Sequence, residues 1–332
     1  MRHYTHLKDL GVSGQQKLLK LAADYKRAEP GPILKNKVLG MLFFNPSLRT
    51  RTSFEVAMLK LGGQSVALEE GSGVWKLETE DGAPMNADKA EHVREAAAVL
   101  SRYVDVLGVR AFSRGMGQAD DDRDRVINSF REHARVPLIS LESAREHPCQ
   151  GLADMLTVRE SFGQTQGVNV VLSWAPHVKP LPKAVPNSVL LHAAAAGCSI
   201  TVAHPPGFEL GAAVREEAAQ YAAQSGAKIR YTHDQREALN GAHVVYAKAW
   251  GPEPRQSEEG IVASPALRGW MPTVKHFETC ADDAIFLHCL PVRRDVEVGS
   301  DVLDSERARV IDEAENRMWV QMAALAWLFE RA

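Results

Sequence analysis

Short apolar runs rich in branched residues alternate with amphipathic stretches along almost the whole chain. The runs predict β-strands, and the stretches between them place apolar residues at the spacing of one helix face. Strands that alternate with helices are typical of parallel sheets covered by helices, so we predict an α/β fold. The predicted strands are Val38–Phe44, Ser65–Leu68, Val104–Val109, Val136–Leu141, Val168–Trp174, Ile200–Ala203, His243–Ala247 and Ala284–Leu287. The predicted helices include Arg51–Leu61, Glu91–Tyr103, Arg125–His133, Gly151–Phe162, Asn187–Ala196 and Ala212–Ser225.

Two sets of strands predict two domains, each with a parallel sheet flanked by helices. The chain has 332 residues, which is enough for two domains of ordinary size. The first set ends near Leu141, and Pro148 can open the helix that follows. A final helix is predicted from Asp312, where Glu315 completes a pattern that resembles a capping box. We therefore predict domains over residues 1–142 and 143–311, with a helix at residues 312–332 that completes the first domain.

Two stretches fit neither a helix nor a strand. Residues Gly71–Asn86 mix glycine and charge around an isolated Trp75. The run Trp174–Pro186 has four prolines, too many for a helix or a central strand. Loops of this length inside a compact domain are often functional, so both stretches are candidates for a binding role.

Composition and charge argue against several classes of protein. A formal net charge of -3 at pH 7 lacks the basic excess of a general nucleic-acid binder. No apolar stretch approaches the ~20 residues of a membrane span, and the first residues lack the apolar run of a signal peptide. The cysteines Cys149, Cys198, Cys280 and Cys289 lack the paired spacing of zinc sites. We therefore expect a cytoplasmic protein with reduced thiols and with no metal, nucleic-acid or membrane partner.

The residues after the first strand predict an anion site at the start of a helix. Ser47 can cap this helix, and Arg49 and Arg51 then fall in its first turn. The helix dipole disfavours cations there but favours a bound phosphate, which the arginines would hold. The alternative is a solvated helix start whose arginines pair with surface carboxylates. The chain has neither a P-loop sequence nor a glycine-rich dinucleotide fingerprint after a strand, so we expect a small phosphate without a nucleotide.

Polar residues also follow other predicted strands of the first domain. Arg110 ends one strand, and His147 and Gln150 lie where the next strand meets a helix. All three can face the edge of the sheet at which α/β proteins bind ligands. Taken alone, His147 would more often be a surface or capping histidine.

Two more clusters lie toward the end of the chain. Cys289 and Arg293 follow the last strand, where they could equally be a buried small side chain and a surface charge. Arg317 lies early in the final helix, where a cation opposes the dipole and a partner anion is expected. That anion is either a ligand or a neighbouring carboxylate such as Glu313.

Together and in this order, the clusters resemble the motifs of the aspartate/ornithine transcarbamylase family. Ser47-Leu48-Arg49-Thr50-Arg51 is similar to the phosphate-binding Ser-Thr-Arg-Thr-Arg signature, with a leucine at the second place. His147-Pro148-Cys149-Gln150 is similar to the His-Pro-x-Gln motif, and His288-Cys289-Leu290-Pro291 matches the ornithine branch. The resemblance covers essentially the whole chain, and it implies carbamoyl transfer from carbamoyl phosphate without a cofactor or metal.

Within the family, the chain resembles the N-acylornithine branch. The segment that holds the free α-amino group in plain ornithine enzymes is replaced by one that offers Lys248. Trp75 resembles the tryptophan that this branch donates to a neighbouring subunit, which implies a homotrimer with shared sites. The run Trp174–Pro186 resembles the loop through which this branch threads its chain, which implies a knotted backbone in the second domain, a rarity among folds.

The resemblance also implies roles for single residues. Thr50, Arg110 and His147 would donate to the carbamoyl oxygen, and acceptors at Cys289 would favour the neutral form of the attacking amine. These four residues are the predicted catalytic group. Carbamoyl phosphate would contact Ser47, Leu48, Arg49, Thr50, Trp75, Arg110, His147, Pro148, Cys149, Gln150, Cys289, Leu290 and Arg317. The N-acylornithine would contact Glu142, His177, Lys248, Arg293 and Ala90.

One position bears on the identity of the acyl group. In the acetyl enzymes a glutamate stands just before the pair that here is Glu91-His92, and this chain has Ala90 in its place. A missing carboxylate leaves room for the extra carboxylate of a succinyl group and removes repulsion from it. We therefore favour N-succinyl-L-ornithine, with N-acetyl-L-ornithine as the alternative. Glu297 matches neither the modifiable lysine of acetyl enzymes nor the apolar residue expected in succinyl enzymes, so its role is open.

Two other functions remain as competing hypotheses. A transcarbamylase that acts on free ornithine is disfavoured by Lys248. A catalytically silent, regulatory paralogue with the same fold is disfavoured because all of the motif clusters are intact.

Overall fold

The computed structural model describes residues 1–252 and 265–330, which divide into two compact units. The first unit comprises Met1–Leu10, Lys17–Cys149 and the described chain from Arg317 onward, and the second comprises Gly11–Gln16 and Gln150–Asn316. Residues 253–264 of the predicted second domain and residues 331–332 of the predicted final helix lie outside the described residues.

The first unit contains a parallel sheet with the strand order β2-β1-β5-β6. The chain leaves β1 to form a neighbour on one side and later returns to the other side, so the order reverses at β1. Ligands of open α/β sheets bind beyond the carboxyl ends of the strands at such a reversal. The strands are β1 (Val38–Phe43), β2 (Gln64–Glu69), β5 (Val106–Arg110) and β6 (Leu138–Glu142), and a separate short pair is β3 (Leu77–Glu78) with β4 (Glu91–His92).

Helices cover this sheet because their apolar faces pack on its branched residues. Leu42, Leu107 and Val109 of the sheet pack with Ile127 and Phe130 in one buried cluster. The α-helices that begin in the first unit are α2 (Leu48–Lys60), α3 (Val93–Leu100), α4 (Gln118–Arg123), α5 (Arg125–His133) and α6 (Pro148–Phe162), and Leu7–Asp9 is a 3-10 helix.

The second unit contains another parallel sheet, with the strand order β11-β10-β7-β8-β9. Its central strands β7 and β10 are almost fully buried, as expected for a sheet covered on both faces. The strands are β7 (Asn169–Trp174), β8 (Ser199–Ala203), β9 (Ile229–Thr232), β10 (Val244–Lys248) and β11 (Ile285–Leu287). The remaining helices are α1 (Gly11–Arg27), α7 (Ala184–Ala195), α8 (Ala212–Ser225), α9 (Gln235–Leu239), α10 (Pro265–Arg268), a 3-10 helix (Val274–Thr279), α11 (Ser300–Leu303) and α12 (Val310–Phe329).

A glycine lets helices α6 and α7 approach closely in the second unit. A Cβ atom at Gly151 would lie 2.3 Å from Cδ2 of His192, which is a steric overlap. His192 is fully buried, and burial lowers its pKa to about 3, so the ring is neutral. Because of this overlap, any larger residue at position 151 would push helix α6 away from helix α7.

The proline-rich run after β7 is buried at its two ends and partly exposed between them, at residues 178–182. The indole Nε1 of Trp174 donates to the carbonyl oxygen of Trp250 at 2.8 Å, and Nε1 of Trp250 donates to the carbonyl oxygen of Phe208 at 2.7 Å. The run is irregular up to Lys183, and Pro186 then lies in the first turn of α7, where a proline is tolerated. The knotted path that the resemblance implies stays a prediction.

The predicted α/β class and all eight predicted strands are confirmed, with ends that differ by one or two residues. Sequence patterning missed β9, β3 and β4, which are short and have no continuous apolar run. Helix α3 begins at Val93 instead of Glu91 because Glu91 and His92 pair with β3. Within the described part of the chain, no helix is both long enough and apolar enough to cross a membrane.

Candidate active site

Helix α2 begins where strand β1 ends, and its first turn is capped by a side chain. The Ser47 hydroxyl accepts a hydrogen bond from the backbone N–H of Thr50 at 3.2 Å. The first turn contains no acidic residue to complement the helix dipole. This start is therefore suited to a bound anion, and the predicted roles of Ser47 and Arg49 in holding it stay predictions.

Two buried guanidinium groups converge on the hydroxyl of Thr50. Nη2 of Arg317 donates to Oγ1 of Thr50 at 2.5 Å, and Nη1 of Arg110 lies 3.5 Å from the same oxygen. Arg110 is the last residue of β5, and Arg317 lies on α12 within the first unit. The three side chains form what we call the arginine cluster. It joins positions that are 60 and 267 residues apart in sequence.

One carboxylate partly balances the arginine cluster. Oε2 of Glu142, at the end of β6, accepts a hydrogen bond from Nη1 of Arg110 at 2.5 Å. The same oxygen lies 3.5 Å from Nε2 of the buried His147. Glu142 was predicted to contact the acceptor substrate, but here its carboxylate is bonded to Arg110. That predicted role has no direct support in this geometry and stays a prediction.

The arginine cluster has excess positive charge in a buried position. Burial lowers the pKa of Arg317 from its usual value, and the neighbouring charges of Arg110 and Arg49 lower it further, whereas Glu142 acts in the opposite direction. Buried charge without full compensation costs free energy. A dianion such as phosphate would offset that cost and accept charge-assisted hydrogen bonds from the guanidinium groups.

Arg51 does not join this cluster. Its Nε donates to Glu55 at 3.1 Å and its Nη1 to Glu69 at 2.5 Å, on a partly exposed surface. For this arginine the structure supports the alternative, pairing with surface carboxylates. Leu48, the departure from the family signature, is 79% exposed.

Trp75 and Ala90 lie together on a separate, exposed part of the first unit. Trp75 is 59% exposed, and its indole Nε1 donates to Oε2 of Glu91 at 2.8 Å. The backbone N–H of Ala90 donates to the carbonyl oxygen of Lys76 at 3.1 Å. The position that sequence comparison connects to the acyl group is thus next to the tryptophan expected to serve a neighbouring subunit.

A second polar cluster lies at the carboxyl edge of the sheet in the second unit. Lys248 ends β10 and is buried, and His177 follows β7. Nε of Arg293 donates to Nε2 of His177 at 3.2 Å. Because Nε2 accepts this bond, the neutral ring carries its proton on Nδ1, which lies 2.8 Å from the carbonyl oxygen of Lys179. We call His177, Lys248, Arg293 and Glu297 the acceptor cluster.

Burial and the local charges keep His177 neutral. Burial, more than the neighbouring charges of Lys248 and Arg293, lowers the pKa of the imidazole. The neutral ring can therefore accept from Arg293 and hold its guanidinium in one orientation. This arrangement leaves Lys248 and Arg293 as two cations in one cluster.

Glu297 is a member of this cluster that sequence reasoning left open. Its Oε2 accepts the backbone N–H of Arg293 at 2.7 Å, and its Oε1 lies 3.9 Å from Nε2 of His288. Burial alone would raise the pKa of Glu297, but the imidazole of His288 and the charge of Lys248 lower it. Glu297 is therefore a buried carboxylate that orders the loop carrying Arg293. The sequence signal that could have linked Glu297 to Arg293 was their spacing of four residues.

The remaining predicted contacts are distributed over both units. Cys149 is fully buried in the first unit, and burial raises the pKa of its thiol to about 12, so it is not a nucleophile. Cys289 is buried in the second unit, next to Leu290, whose backbone N–H donates to Nδ1 of His288 at 3.0 Å. Pro148 begins α6, and its carbonyl oxygen accepts from the hydroxyl of Tyr4 at 3.1 Å. Gln150 lies in the second unit, where carboxyl groups hold its amide.

Two groups of described residues have the composition of a metal site. His204, Glu209 and His233 each place one potential ligand atom within 4.8 Å of the others, and so do Asp81, Glu132 and His133. Both groups are largely exposed. None of these side chains belongs to the arginine cluster or the acceptor cluster.

The chain matches the models of two successive domains of one enzyme family. Residues 2–160 match the carbamoyl-P binding domain of aspartate/ornithine carbamoyltransferase, and residues 182–328 match its Asp/Orn binding domain. The chain is 39% identical to the N-acetylornithine carbamoyltransferase of Xanthomonas campestris pv. campestris, covering 99% of this chain and 98% of that one. It is 38% identical to the N-succinylornithine carbamoyltransferase of Bacteroides thetaiotaomicron, covering 96% of this chain and 95% of that one.

A solved structure with a bound ligand pair is similarly close. It is an N-acetyl-L-ornithine transcarbamylase in which alanine replaces a glutamate, complexed with carbamyl phosphate and N-succinyl-L-norvaline. The TM-score is 0.95 at 40% sequence identity, covering 99% of this chain and 100% of that one.

Proposed function

The chain belongs to the aspartate/ornithine carbamoyltransferase family, in its N-acylornithine branch, and from this premise we propose that it carbamoylates N-succinyl-L-ornithine. The products would be N-succinyl-L-citrulline and phosphate, a step of arginine biosynthesis. The observation that carries the choice of donor is the arginine cluster, in which two buried guanidinium groups meet at one hydroxyl and only Arg110 has a hydrogen bond to the nearby carboxylate of Glu142 among the described contacts.

In this proposal, carbamoyl phosphate binds to the first unit through its phosphate. Arg49, Arg317 and the backbone at the start of α2 supply positive charge and N–H donors, and Ser47 holds that turn in place. Because Oγ1 of Thr50 already accepts from Arg317, its own hydrogen is available to a ligand oxygen. Trp75 of a neighbouring subunit would complete the phosphate contacts.

Transfer would proceed by attack of the acceptor's side-chain amine on the carbamoyl carbon. The new C–N bond forms as charge grows on the carbamoyl oxygen, and the C–O bond to phosphate then breaks. Arg110, His147 and Thr50 would stabilise that oxygen, and one such donor is typically worth ~10²–10³ in rate. The amine must first lose a proton, since its usual pKa is ~10. Acceptors at Cys289 would favour the neutral amine, and the departing phosphate would take the proton released by the attack.

The acceptor cluster fits an acylated amino acid with two carboxylates. Lys248 and Arg293 provide two cations, and Glu297 is the carboxylate that offsets part of their charge. An N-succinyl group adds a second carboxylate to the α-carboxylate of ornithine. We assign that second carboxylate to Arg293, which His177 orients.

The succinyl choice is supported by the similar structure that holds N-succinyl-L-norvaline. That transcarbamylase was altered from glutamate to alanine, and its ligand is a succinylated amino acid. This chain has alanine at the position where, by the resemblance, the acetyl enzymes have a glutamate. N-Acetyl-L-ornithine remains the second candidate because the relatives of both kinds are equally similar.

Product formation by the purified chain tests the proposal directly. Carbamoyl phosphate would be supplied with ornithine, N-acetylornithine or N-succinylornithine in separate reactions. We expect turnover with N-succinylornithine at least about tenfold faster than with N-acetylornithine, the discrimination that one charge contact gives. Faster turnover of N-acetylornithine would make it the assigned acceptor and would leave the proposed mechanism unchanged. A lack of turnover with every acceptor would favour the silent paralogue.

A subunit-mixing experiment tests the homotrimer with shared sites. Trp75→Ala and Arg317→Met would each inactivate the sites to which they contribute. Co-expression of the two variants in one cell would build mixed trimers in which some sites combine an intact Arg317 with an intact Trp75 from the neighbour. Recovered activity is expected, with either variant expressed alone as the control. Mixed assemblies that form but stay inactive would contradict the shared site.

A further inference from the structure

The amide of Gln150 is held at its nitrogen end by two carboxyl groups. Nε2 donates to Oδ1 of Asp154 at 2.8 Å and to Oε1 of Glu313 at 2.8 Å, which uses both of its N–H bonds. The side chain is 1% exposed. Its carbonyl oxygen, Oε1, is buried and has no hydrogen-bond partner among the described residues.

The two carboxyl groups have other partners in the same unit. Oε2 of Glu313 accepts the backbone N–H of His288 at 2.8 Å, and Oε1 lies 3.3 Å from the hydroxyl of Tyr246. Glu313, Asp154 and Gln150 are all almost fully buried. Asp154 lies one turn after Gln150 on α6, and Glu313 lies on α12.

Burial and the close approach of the two carboxyl groups affect the ionisation of Glu313. Burial, and then the neighbouring carboxylate of Asp154 and the hydrogen bond to it, raise the pKa of Glu313 well above its usual value. The protonated form of Glu313 is therefore favoured, because two close buried carboxylates do not readily both ionise. The pair is a fixed acceptor for the N–H groups of Gln150.

This arrangement allows only one orientation of the amide. A reversed side chain would turn its carbonyl oxygen toward two carboxyl oxygens and leave its N–H groups without these acceptors. The Oε1 atom must therefore point away from the pair. A buried carbonyl oxygen without a donor is costly, and such atoms in native proteins call for an explanation, for example a ligand that donates to them.

We propose that Asp154 and Glu313 are positioning residues that hold Oε1 of Gln150 as the acceptor for the NH₂ group of carbamoyl phosphate. The inference rests on the proposed function and on the family resemblance, which implies that Gln150 contacts carbamoyl phosphate. The carboxyl pair touches no substrate. It makes the enzyme selective for the NH₂ group of its donor. A carbonyl compound with a methyl group in place of NH₂ therefore binds less well.

Two unreactive phosphonates isolate this effect. Phosphonoacetamide has the carbamoyl NH₂, and acetonylphosphonate has a methyl group in the same place. Their inhibition constants against carbamoyl phosphate would be measured for the wild-type enzyme, Glu313→Ala and Asp154→Ala. We expect the wild type to prefer the amide by about tenfold, the size of one good hydrogen bond. Either alanine variant should lose that preference while acetonylphosphonate binds as before.

Conservative and neutral variants separate positioning from general structural damage. Asp154→Asn should keep the preference, because its amide can accept from Gln150 and donate to Glu313. Asp312→Asn, an exposed change one residue from Glu313 on the same helix, should leave both inhibition constants unchanged. In a Gln150→Ala background, Glu313→Ala should reduce the preference no further, since the two side chains act as one unit.

The possible outcomes are distinct. A folded alanine variant with an unchanged preference, or with an equal loss for both phosphonates, would overturn the inference, as would a wild type without any preference. If one alanine variant fails to fold, the other carries the same test. A wild-type protein that neither turns over carbamoyl phosphate nor binds either phosphonate would instead refute the proposed function.

Discussion

The arginine cluster and the acceptor cluster are both built at the carboxyl edge of a parallel sheet, yet they differ in burial and in the kind of cation. In the first, Arg110 and Arg317 are buried and meet at one hydroxyl. In the second, a buried Lys248 is combined with an exposed Arg293 whose orientation depends on His177. Guanidinium groups in a fixed fork suit phosphate, whereas a lysine is a compact point charge on a flexible stem. In the proposed function, the first cluster binds the common donor and the second binds the particular acceptor.

The largest expected effect is at Arg317, whose replacement tests the role of the arginine cluster. Removal of its cation by Arg317→Met should lower kcat/KM for carbamoyl phosphate by ~10²–10³. The thermal unfolding temperature should stay equal or rise, because burial and neighbouring cations disfavour the charged form. Steady-state kinetics and calorimetry would check both.

Arg51→Met is the matched control for that change. It removes the same charge near the same helix start, but from a residue paired with exposed carboxylates, and such pairs contribute ~0–1 kcal/mol. We expect its kinetics to change less than about twofold if Arg51 has no ligand. An Arg317→Met enzyme as active as this control would remove the arginine cluster from the donor site.

A second test asks whether the acceptor cluster acts on the acceptor alone. Lys248→Met should raise KM for the N-acylornithine by about 10–100-fold, the usual value of a charge-assisted hydrogen bond. KM for carbamoyl phosphate should stay unchanged. Lys228→Met, at an exposed lysine of the same unit, is the control. An equal rise in both KM values would show that the two clusters do not divide the substrates.

A third test sharpens the acyl assignment. Ala90→Glu should lower kcat/KM for N-succinylornithine by about tenfold and spare N-acetylornithine, because a carboxylate there repels the succinyl carboxylate. Ala90→Gln adds similar bulk without charge and should have the smaller effect. An equal loss of kcat/KM for both acceptors in the glutamate variant would mean that position 90 does not determine which acyl group is preferred.

The smallest expected effect is a pH dependence at His177. Folding lowers its pKa, so the neutral ring is favoured in the folded state and is fully present above pH ~6.5. As the pH falls through the folded-state pKa, the ring gains a charge beside Lys248 and Arg293, which the carbonyl of Lys179 and the carboxylate of Glu297 partly offset. KM for the acceptor should then rise by about a few-fold at acid pH, because the protonated ring can no longer accept the hydrogen bond from Arg293.

His177→Gln checks the source of that change. Its amide oxygen can still accept from Arg293 but does not titrate in this range. In the variant, KM for the acceptor should therefore not rise at acid pH. A profile identical to that of the wild type would assign the pH dependence to another group.

Much of the fold could be predicted from local pattern. Buried parallel strands are continuous apolar runs, and this signal located the eight predicted strands. Strand β9 was missed because none of the residues Ile229–Thr232 is buried. Ser47 could be identified as a cap because capping involves a contact only three residues away. The family motifs were visible because their residues are adjacent in sequence. Arg51, two residues from Arg49, shows the limit of this reasoning, since one of its partners, Glu69, lies on strand β2.

The sequence by itself therefore determined the α/β class, the strand positions and the chemistry available at each motif. These depend on side-chain periodicity and on contacts within a few residues. Only the tertiary structure decided which charges meet, because a partner such as Arg317 for Thr50 is 267 residues away and is selected by packing. The same holds for Asp154 and Glu313, because folding buries the two carboxyl groups together and thereby raises the pKa of Glu313. A charge in a sequence is a property of one residue, whereas its consequence depends on burial and on the neighbours that the fold supplies.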